Sequence, residues 1–435
     1  MTVPRVALHN LGCKVNQAET EAWSREFTGV GMTIVPHDDP ADVVVINTCS
    51  VTNIADRKSR QALRAARRRN PNAIIVATGC YSSVEEDLAT IVPEIDLVVT
   101  QSDKQVLVSR VVEECAARGL VADYDAGVPG KKVGRTRAFV KVADGCDRHC
   151  AFCIVPIARG RPHSRPVDDV VREVTQRVAG GYVEVVLTAV RLGTYGRDQQ
   201  PVDSLPNLAR TVLAATGVRR LRLSSVEPAD LTDDFLDLWQ RAEDRLCRHL
   251  HLALDSGCDA TLARMRRRYT TEDYAAALAR LRRAIPGIAI TTDVIVGFPG
   301  ESAGEFATSC EFVEAMGFAQ VHVFQYSARK GTAAATMAAQ VEPAERAARC
   351  ERMLAIAEGS ARRYRTALLG SVRPVLYEAP WEGATDAWVG LTDDYVRVVT
   401  RGQGSLRNTL VATRLVGLDG DVMTGELVDV PNAAP

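Results

Sequence analysis

The sequence predicts an α/β protein built from an open parallel α/β sheet, a partial (β/α)6 barrel and a small antiparallel β-barrel. Three observations over the 435 residues predict this fold. Apolar runs alternate with helical segments in residues 1–125, six strand–helix units follow in residues 132–366, and residues 369–431 contain short alternating runs between Gly, Asp and Thr turns. A linker that contains Gly and Lys, residues 119–138, joins the first two parts.

The composition argues against a membrane-spanning or a disulfide-stapled protein. Hydrophobic residues make up 46% and charged residues 25% of the chain, as in soluble globular proteins. No apolar run approaches the length of a membrane span, and the N-terminus enters a strand-like segment without the apolar core of a signal peptide. We therefore expect a cytoplasmic protein whose eleven cysteines are metal ligands or buried thiols.

A cysteine follows each of three predicted strands in the first part of the chain. The strands cover residues 5–12, 42–48 and 73–79, and they end at Cys13, Cys49 and Cys80. Because the carboxyl ends of parallel strands meet at one edge of an open sheet, we expect these three thiols to lie close together. Three cysteines at such an edge favour a metal site. Three independently buried thiols are the alternative, since free cysteine is often buried.

The helix predicted between the second and third of these strands, over residues 55–69, is strongly basic. It has no acidic residue after Asp56, and its basic residues are Arg57, Lys58, Arg60, Arg64, Arg67, Arg68 and Arg69. A run of like charge that begins near the cysteine edge favours a surface for RNA phosphates. A solvated helix face is the alternative interpretation.

A second group of three cysteines lies on one loop, directly after the strand predicted over residues 139–142. Cys146, Cys150 and Cys153 have C-x3-C-x2-C spacing. A structural zinc site needs four ligands, so a zinc loop would have to add His149 or His163. A 4Fe–4S cluster held by three cysteines keeps one iron open for another molecule. This spacing resembles that of the radical S-adenosylmethionine (SAM) enzymes, and Phe152 matches the aromatic residue that usually precedes their last cysteine.

The loops after the other barrel strands are polar and contain glycine, as expected at the carboxyl edge of a parallel barrel. These strands are predicted over residues 183–190, 220–225, 249–254, 288–296 and 320–326. Ser225 and Glu227 are expected to bind the ribose hydroxyls or the amino group of SAM, and Gly297 to let the backbone approach the cofactor. Two basic stretches, residues 159–166 and 264–269, suit RNA contacts because the second adds the aromatic Tyr269 for base stacking, although a solvated helix face explains residues 264–268 equally well.

The last part of the chain follows a long helix predicted over residues 342–369. Short runs at residues 373–378, 388–391, 395–399, 408–415 and 422–428 predict a small antiparallel barrel. Barrels of this kind often bind nucleic acid, which makes this part a candidate RNA-binding domain.

Four segments, residues 11–21, 47–52, 78–81 and 154–161, resemble the methylthiotransferases of the radical SAM superfamily, and the tail resembles a TRAM domain. Residues 12–17 and 55–61 resemble most the branch that modifies carbon 2 of N6-threonylcarbamoyladenosine at position 37 of tRNA. Branches that act on isopentenyl-adenosine of tRNA or on a ribosomal protein are the alternatives. The chain departs from the family's pattern at Ala189, Arg191, Ala253, Asp255 and Cys258.

This resemblance implies an enzyme with two 4Fe–4S clusters, one on Cys13, Cys49 and Cys80 and one on Cys146, Cys150 and Cys153. SAM would bind the second cluster as the radical source, and a second SAM would supply the methyl group. The implied partners are the anticodon loop of tRNA, an electron donor such as flavodoxin or ferredoxin, and a sulfur donor. A non-catalytic, zinc-stapled RNA-binding protein is the alternative from a different class.

Overall fold

The computed structural model describes residues 3–120, 136–242, 244–382, 384, 386–402 and 404–428. These residues form the three units that the sequence predicts, in the predicted order. Most of the predicted linker and the last residues of the tail domain lie outside the described residues. None of the helices in the described ranges is both long enough and apolar enough to span a bilayer.

The first unit is a five-stranded sheet in the order β2-β1-β3-β4-β5, in which every strand pair is parallel. The strands are β1 (Arg5–Asn10), β2 (Thr33–Val35), β3 (Val43–Thr48), β4 (Ile74–Gly79) and β5 (Leu97–Val99), and the helices are α1 (Lys14–Gly29), α2 (Asn53–Arg69), α3 (Cys80–Val84), α4 (Leu88–Ile91) and α5 (Leu107–Ala117). The sequence predicts three of these strands. The other two, β2 and β5, are edge strands of three residues, too short for a clear pattern.

Helices cover both faces of this sheet, which explains why its central strands are apolar throughout. All six residues of β3 and of β4 are buried. Trp23 and Phe27 of α1 pack on one face, and Leu63 of α2 packs on the other. Burial of a side chain such as Phe27 contributes about 1.5–3 kcal/mol.

The middle unit is a partial barrel of parallel strands in two adjoining sheets, β10-β9-β6 and β11-β12-β13-β14. Its strands are β6 (Arg137–Lys141), β9 (Glu184–Thr188), β10 (Arg220–Leu223), β11 (Ser225–Val226), β12 (His249–Leu252), β13 (Ala289–Val296) and β14 (Gln320–Gln325), and a short antiparallel pair, β7 (Ala143–Asp144) with β8 (His163–Ser164), follows β6. The two sheets separate at Ser224. The antiparallel pair of β7 with β8 was not predicted, because strands of two residues are too short to show a periodic pattern in the sequence.

Helices cover the outside of this barrel and bury one large apolar core against alternate strand residues. They are α7 (Val167–Ala179), α8 (Leu205–Ala215), α9 (Asp233–Arg241), α11 (Thr271–Ala284), α12 (Ala303–Met316) and α13 (Pro343–Ala367), whereas the short helices α6 (Val155–Arg159) and α10 (Asp259–Arg264) lie in the loops that follow strands. The intervening residues of the strands face the lumen, where apolar side chains such as Phe139 and Val186 on β6 and β9 contrast with polar ones such as His251, Asp293 and His322 on β12, β13 and β14.

The tail is a closed five-stranded barrel in the order β15-β16-β17-β19-β18. Its strands are β15 (Val372–Pro380), β16 (Ala387–Thr392), β17 (Arg397–Arg401), β18 (Leu410–Asp419) and β19 (Val422–Leu427). Every pair is antiparallel except β17 with β19, so the predicted antiparallel barrel is confirmed with one parallel seam.

The first unit and the tail barrel contact opposite ends of the middle unit. Helix α1 packs against the lumen face of β6 and β9, where Ala18 meets Phe139 and Val186. The tail barrel contacts the amino ends of the strands, for example where Arg137 pairs with Glu378 at 2.9 Å. The carboxyl ends therefore face the first unit, and this arrangement positions the site described next.

Candidate functional site

The first cysteine trio lies at the carboxyl edge of the N-terminal sheet. Cys13 precedes α1, Cys49 directly follows β3, and Cys80 is the first residue of α3, directly after β4. Strands β1, β3 and β4 are neighbours in the sheet, so the structure brings the three thiols together, and Cys13 and Cys80 are close enough to perturb the pKa of Cys49. Exposure decreases across the trio from Cys13, which is exposed, to Cys80, which is buried.

The backbone at this edge requires a glycine at position 79. Gly79 has φ +96°, and a Cβ there would lie 2.4 Å from the carbonyl oxygen of Thr48. Asn16 fixes the same point from α1, because its Nδ2 donates to the Asn47 side chain at 2.9 Å and to the Thr48 carbonyl at 3.0 Å. The sheet edge and the start of α1 are thus one hydrogen-bonded unit, which holds Cys13 and Cys49 on neighbouring strands.

The second trio is held by the loop between β7 and α6. The Cys146 amide donates to the Gly160 carbonyl at 3.0 Å, and the Ala151 amide donates to the Met265 carbonyl at 3.0 Å. Gly145 has φ +74°, and a Cβ there would collide with the Arg161 carbonyl. Both ends of the loop are therefore fixed to the barrel, and the thiols are close enough for Cys146 and Cys150 to perturb the pKa of Cys153.

The spread of the sulfur atoms suits a cluster better than a single ion. Tetrahedral zinc thiolates with bonds of about 2.3 Å have sulfur atoms about 3.8 Å apart. Among the described residues, the group of three whose ligand atoms all lie within 4.8 Å of one another is His251, Asp293 and His322, and neither cysteine trio meets that limit. A 4Fe–4S cluster binds its three cysteines through three different irons, so it suits the wider spacing.

Burial raises the pKa of Cys49 and Cys80 in the first trio and of all three thiols in the second. The pKa of Cys49 rises to about 11 and that of Cys153 to about 12, mainly because burial disfavours the thiolate. Metal ligation releases such protons, so these sites gain thiolate character only with a metal bound. His149 and His163, the two candidate fourth ligands for zinc, are both exposed.

Arg159 connects the two trios. It lies at the end of α6, six residues after Cys153, and its Nε is 3.3 Å from Cys80 Sγ. Helices α3 and α6 are in contact, so the loop of the second trio docks directly on the edge that carries the first. The side chain of Arg159 is 2% exposed.

A buried charge cluster surrounds Arg159. Its guanidinium donates to Glu19 and Asp144 at 3.2 and 2.8 Å, and Lys104 and Lys141 contact the same two carboxylates. Burial raises the pKa of Glu19, but the charges of Arg159, Lys141 and Lys104 outweigh this effect and lower it to about 2. Residues of the first unit and of the barrel thus form one ionic network beside the cysteines.

Replacement of Arg159 by Met should loosen this docking. The variant loses hydrogen bonds to Glu19, Asp144, Asn16 and Cys80, each worth about 1 kcal/mol or more in a buried site. We expect the midpoint of thermal unfolding to fall by about 5 °C or more. The exposed Arg161→Met variant is the matched control, and equal midpoints for the two variants would contradict the role given to Arg159.

A second contact between the units lies on the other side of the first trio. Arg329, which follows β14, donates to Asp56 and Asn53 at 2.6 Å and to Ser50 at 2.7 Å. Ser50 directly follows Cys49. The barrel therefore fixes the start of α2 and the loop of Cys49 together.

Glu227 lies at the centre of an arginine cluster above the second trio. Its carboxylate pairs with Arg148 at 3.2 Å, with Arg191 at 2.9 Å and with Arg267 at 2.9 Å. Arg267 also contacts Asp255 and donates to Cys150 Sγ at 3.5 Å. The departures from the family pattern at Arg191 and Asp255 thus belong to one charged network.

The other residues predicted to contact SAM lie on the same side of the barrel. Ser225 is half-buried in β11, two residues before Glu227, and Phe152 packs beside Phe298. Gly297 has φ +70°, and a Cβ there would lie 2.2 Å from Cγ of Arg346. The contact with Arg346 by itself accounts for a glycine at this position.

A cavity of about 420 Å³ opens beside the second trio. It lies between the cysteine loop and the segment after β14, and its lining includes His149, Cys150, Cys153, Arg266 and Thr332. A molecule bound to this trio has room in this space.

Two arginines of the basic stretches are buried and do not face solvent. Arg159 and Arg267 belong to the two basic stretches expected to contact RNA, yet both are buried against carboxylates and cysteine sulfurs. On α2, Arg67 pairs with Asp96 in a partly buried site, whereas Arg69 stays exposed beside Asp38. The carboxylates that pair with these arginines lie elsewhere in the sequence. The one sequence signal for such ion pairs was the presence of acidic residues near the ends of neighbouring strands.

Comparison with known proteins places these features in a family. Residues 5–100 match the family described as "Uncharacterized protein family UPF0004", and residues 140–313 match the radical SAM superfamily. The chain is 36% identical to "Threonylcarbamoyladenosine tRNA methylthiotransferase MtaB" of Bacillus subtilis, over 98% of this chain and 96% of that protein. The protein of the same name from Thermotoga maritima is 35% identical, over 90% of each chain.

More distant relatives share the architecture. The "tRNA-2-methylthio-N(6)-dimethylallyladenosine synthase" of Moorella thermoacetica is 32% identical over 96% of this chain and 97% of that protein. The radical SAM methyltransferase TsrM of Kitasatospora setae, solved with cobalamin and a [4Fe-4S] cluster, has a TM-score of 0.54 at 16% identity and covers 77% of each chain. This likeness concerns the fold.

A partial parallel barrel with three cysteines on the loop after its first strand defines the class of radical SAM proteins. Within that class, the chain belongs to the methylthiotransferase family.

Proposed function

We propose that the chain inserts sulfur and a methyl group at carbon 2 of N6-threonylcarbamoyladenosine at position 37 of tRNA. The relatives from Bacillus subtilis, Thermotoga maritima and Chlamydia pneumoniae, at 36%, 35% and 34% identity, all carry the name of this activity. The observation that carries the proposal is the docking of two cysteine trios through Arg159. Two reactive centres at one junction suit a reaction that both activates a base and adds sulfur to it.

The two trios have different tasks in this proposal. Cys146, Cys150 and Cys153 hold one 4Fe–4S cluster, and Cys13, Cys49 and Cys80 hold the other. When bound, the cluster on Cys146, Cys150 and Cys153 would supply radical chemistry with SAM, and the cluster on Cys13, Cys49 and Cys80 would hold the sulfur to be inserted. A further SAM serves as methyl donor.

The chain's own residues shape and shield these centres. Arg159 places a cation 3.3 Å from Cys80 Sγ, and Arg267 places one 3.5 Å from Cys150 Sγ. Such cations stabilise thiolate charge in a buried site. Glu227 holds Arg148, Arg191 and Arg267 in place, and this cluster orients the polar end of SAM together with Ser225. Phe152 and Gly297 complete the proposed cofactor site.

The exposed basic residues that remain define a narrower RNA surface than the sequence predicts. Arg57 and Lys58 are exposed in the first turns of α2, on the side of Cys49. The tail barrel exposes Arg397, Arg401 and the ring of Trp381. Arginine with an exposed aromatic ring suits phosphate contact and base stacking. We propose that the anticodon stem and loop contact these surfaces.

We also propose the extent of the three domains, the electron and sulfur donors, and the cellular location. The domains are residues 1–125, 132–366 and 369–431, which carry the methylthiotransferase, radical SAM and RNA-binding parts. Flavodoxin or ferredoxin supplies electrons, a separate sulfur donor reloads the first unit, and the protein works in the cytoplasm.

The test uses protein purified without oxygen and reconstituted with iron and sulfide. We expect about eight irons per chain and no stoichiometric zinc. With SAM, a reductant and tRNA that carries threonylcarbamoyladenosine, mass spectrometry of the nucleosides should detect the 2-methylthio product. A colourless zinc protein would favour the RNA-binding alternative, and methylthiolation of isopentenyl-adenosine alone would place the chain in another branch.

A further inference from the structure

The lumen face of strands β12, β13 and β14 carries a compact polar cluster that the reaction described above does not use. His251, Thr291, Asp293 and His322 point to this face, because the residues between them pack under the helices. His251 Nδ1 lies 3.2 Å from Thr291 Oγ1, and His251 Nε2 lies 3.3 Å from Asp293 Oδ2. The rings of His251 and His322 are 6.1 Å apart.

Lys14 of the first unit brings a positive charge to this cluster. Its ammonium is 5.7 Å from the centre of the Tyr395 ring, and its charge acts on Asp293 and His322. Burial lowers the pKa of His322, Asp293 opposes this effect, and the neighbouring His251 and Lys14 add to it. Among the described residues, no carboxylate lies within the 4.0 Å ion-pair distance of this ammonium.

The position of Lys14 ties the cluster to the reaction. Lys14 directly follows Cys13, so its side chain leads from the first trio into the barrel lumen. Phe324 lies two residues beyond His322 on the same face of β14, about 7 Å nearer the carboxyl ends of the strands. Its side chain is 42% exposed, which leaves a flat apolar surface for a base.

We propose that Lys14, His251, Asp293 and His322 form the subsite for the polar substituent on N6 of the substrate adenosine. This inference rests on the proposed function. The threonylcarbamoyl group carries a carboxylate, a hydroxyl and a urea. Lys14 pairs with the carboxylate, the imidazoles and Asp293 exchange hydrogen bonds with the hydroxyl and the urea, and Phe324 stacks on the purine.

The chemistry of the cluster selects against an apolar substituent. Contact with an isopentenyl group would bury Lys14, His251 and Asp293 without new hydrogen bonds, which is costly. A divalent metal ion on His251, Asp293 and His322 is the other ligand to consider, since their ligand atoms lie within 4.8 Å of one another. The positive charge of Lys14 beside them disfavours such an ion.

The test measures binding of tRNA to the reconstituted full-length enzyme, without turnover. Two tRNAs are compared, one with threonylcarbamoyladenosine and one with unmodified adenosine at position 37. We expect the wild-type enzyme to bind the modified tRNA at least about tenfold more tightly. Lys14→Met should remove this preference, and His322→Leu should reduce it about threefold or more.

Lys58→Met on α2 is the matched control. It removes the same charge from an exposed site, so it should weaken binding of both tRNAs alike and leave their ratio unchanged. A wild-type ratio near one would overturn the inference, and so would an unchanged ratio in Lys14→Met. Stoichiometric binding of added Zn²⁺ that His322→Leu abolishes would overturn it in favour of a metal site.

The same variants separate this inference from the proposed function. If the enzyme forms the methylthio product and Lys14→Met keeps the binding preference, the subsite is wrong and the activity stands. If the enzyme modifies none of the tRNAs, the proposed function itself fails.

Discussion

Cys49→Ala is expected to leave SAM cleavage intact and to reduce formation of the methylthio nucleoside at least about 100-fold. Cys49 belongs to the sheet edge of the first unit, whereas Cys146, Cys150 and Cys153 lie on a loop fixed separately to the barrel. Removal of a cysteine from the first trio should therefore leave the cluster site of the second trio intact. Liquid chromatography with mass spectrometry measures 5′-deoxyadenosine and the modified nucleoside in the same reaction.

Two other variants make this result specific. Cys153→Ala should abolish both products, because it removes a residue of the SAM-binding loop. Cys115→Ala changes a buried thiol on α5, outside both trios, and should retain both activities. Iron content should fall from about eight to about four per chain in Cys49→Ala. Normal amounts of methylthio product from Cys49→Ala would disprove a cluster at the first trio.

Glu184→Gln is expected to destabilise the protein by about 3–5 kcal/mol, because it leaves two buried arginines without their counter-ion. The Glu184 side chain is 0% exposed and pairs with Arg220 at 2.5 Å and with Arg222 at 2.7 Å. Arg222 donates onward to the Asp393 carbonyl at 2.8 Å, so this pair also holds the tail barrel against the core. Denaturant unfolding, followed by tryptophan fluorescence, measures the loss.

Glu184 should also make the free energy of unfolding depend on pH. Burial raises the pKa of Glu184, but Arg222 and Arg220 outweigh this effect and lower it to about 2, from an ordinary value of 4.5. Because the folded-state pKa is depressed, its stabilisation is complete above about pH 4.5 and is lost as the pH falls towards 2. Glu184→Gln should lack this contribution, whereas the exposed Glu358→Gln variant should follow the wild type. Parallel acid-unfolding curves for wild type and Glu184→Gln would contradict this contribution of Glu184 to stability.

The fold class was predictable because strand and helix periodicities are local properties. Strands β3 and β4 are apolar throughout, which marks a parallel sheet covered on both faces. Once that is known, the carboxyl ends of neighbouring strands must share one edge, so the meeting of Cys13, Cys49 and Cys80 followed from topology. The short strands β2, β5, β7 and β8 left no periodicity and were not predicted.

The partners of charged residues were not predictable in the same way. In the sequence, Arg159 and Arg267 belong to basic stretches that suit RNA contacts. The sequence does not show which residues surround these arginines in the folded protein. Their carboxylate partners, Glu19 for Arg159 and Asp255 for Arg267, lie 140 and 12 positions earlier in the chain. Only the folded structure determines whether a guanidinium meets solvent, a phosphate or a buried carboxylate.

The sequence by itself determined the three domains, the family and the two cysteine trios, because spacing and periodicity are written along the chain. The tertiary structure alone decided that Arg159 joins the trios and that the charge of Lys14 acts on Asp293 and His322 inside the barrel. Charge and hydrogen-bond contacts act over a few ångströms in space, whatever the separation in sequence. The radical SAM loop was therefore readable from the eight consecutive residues 146–153, whereas the polar subsite required the complete fold.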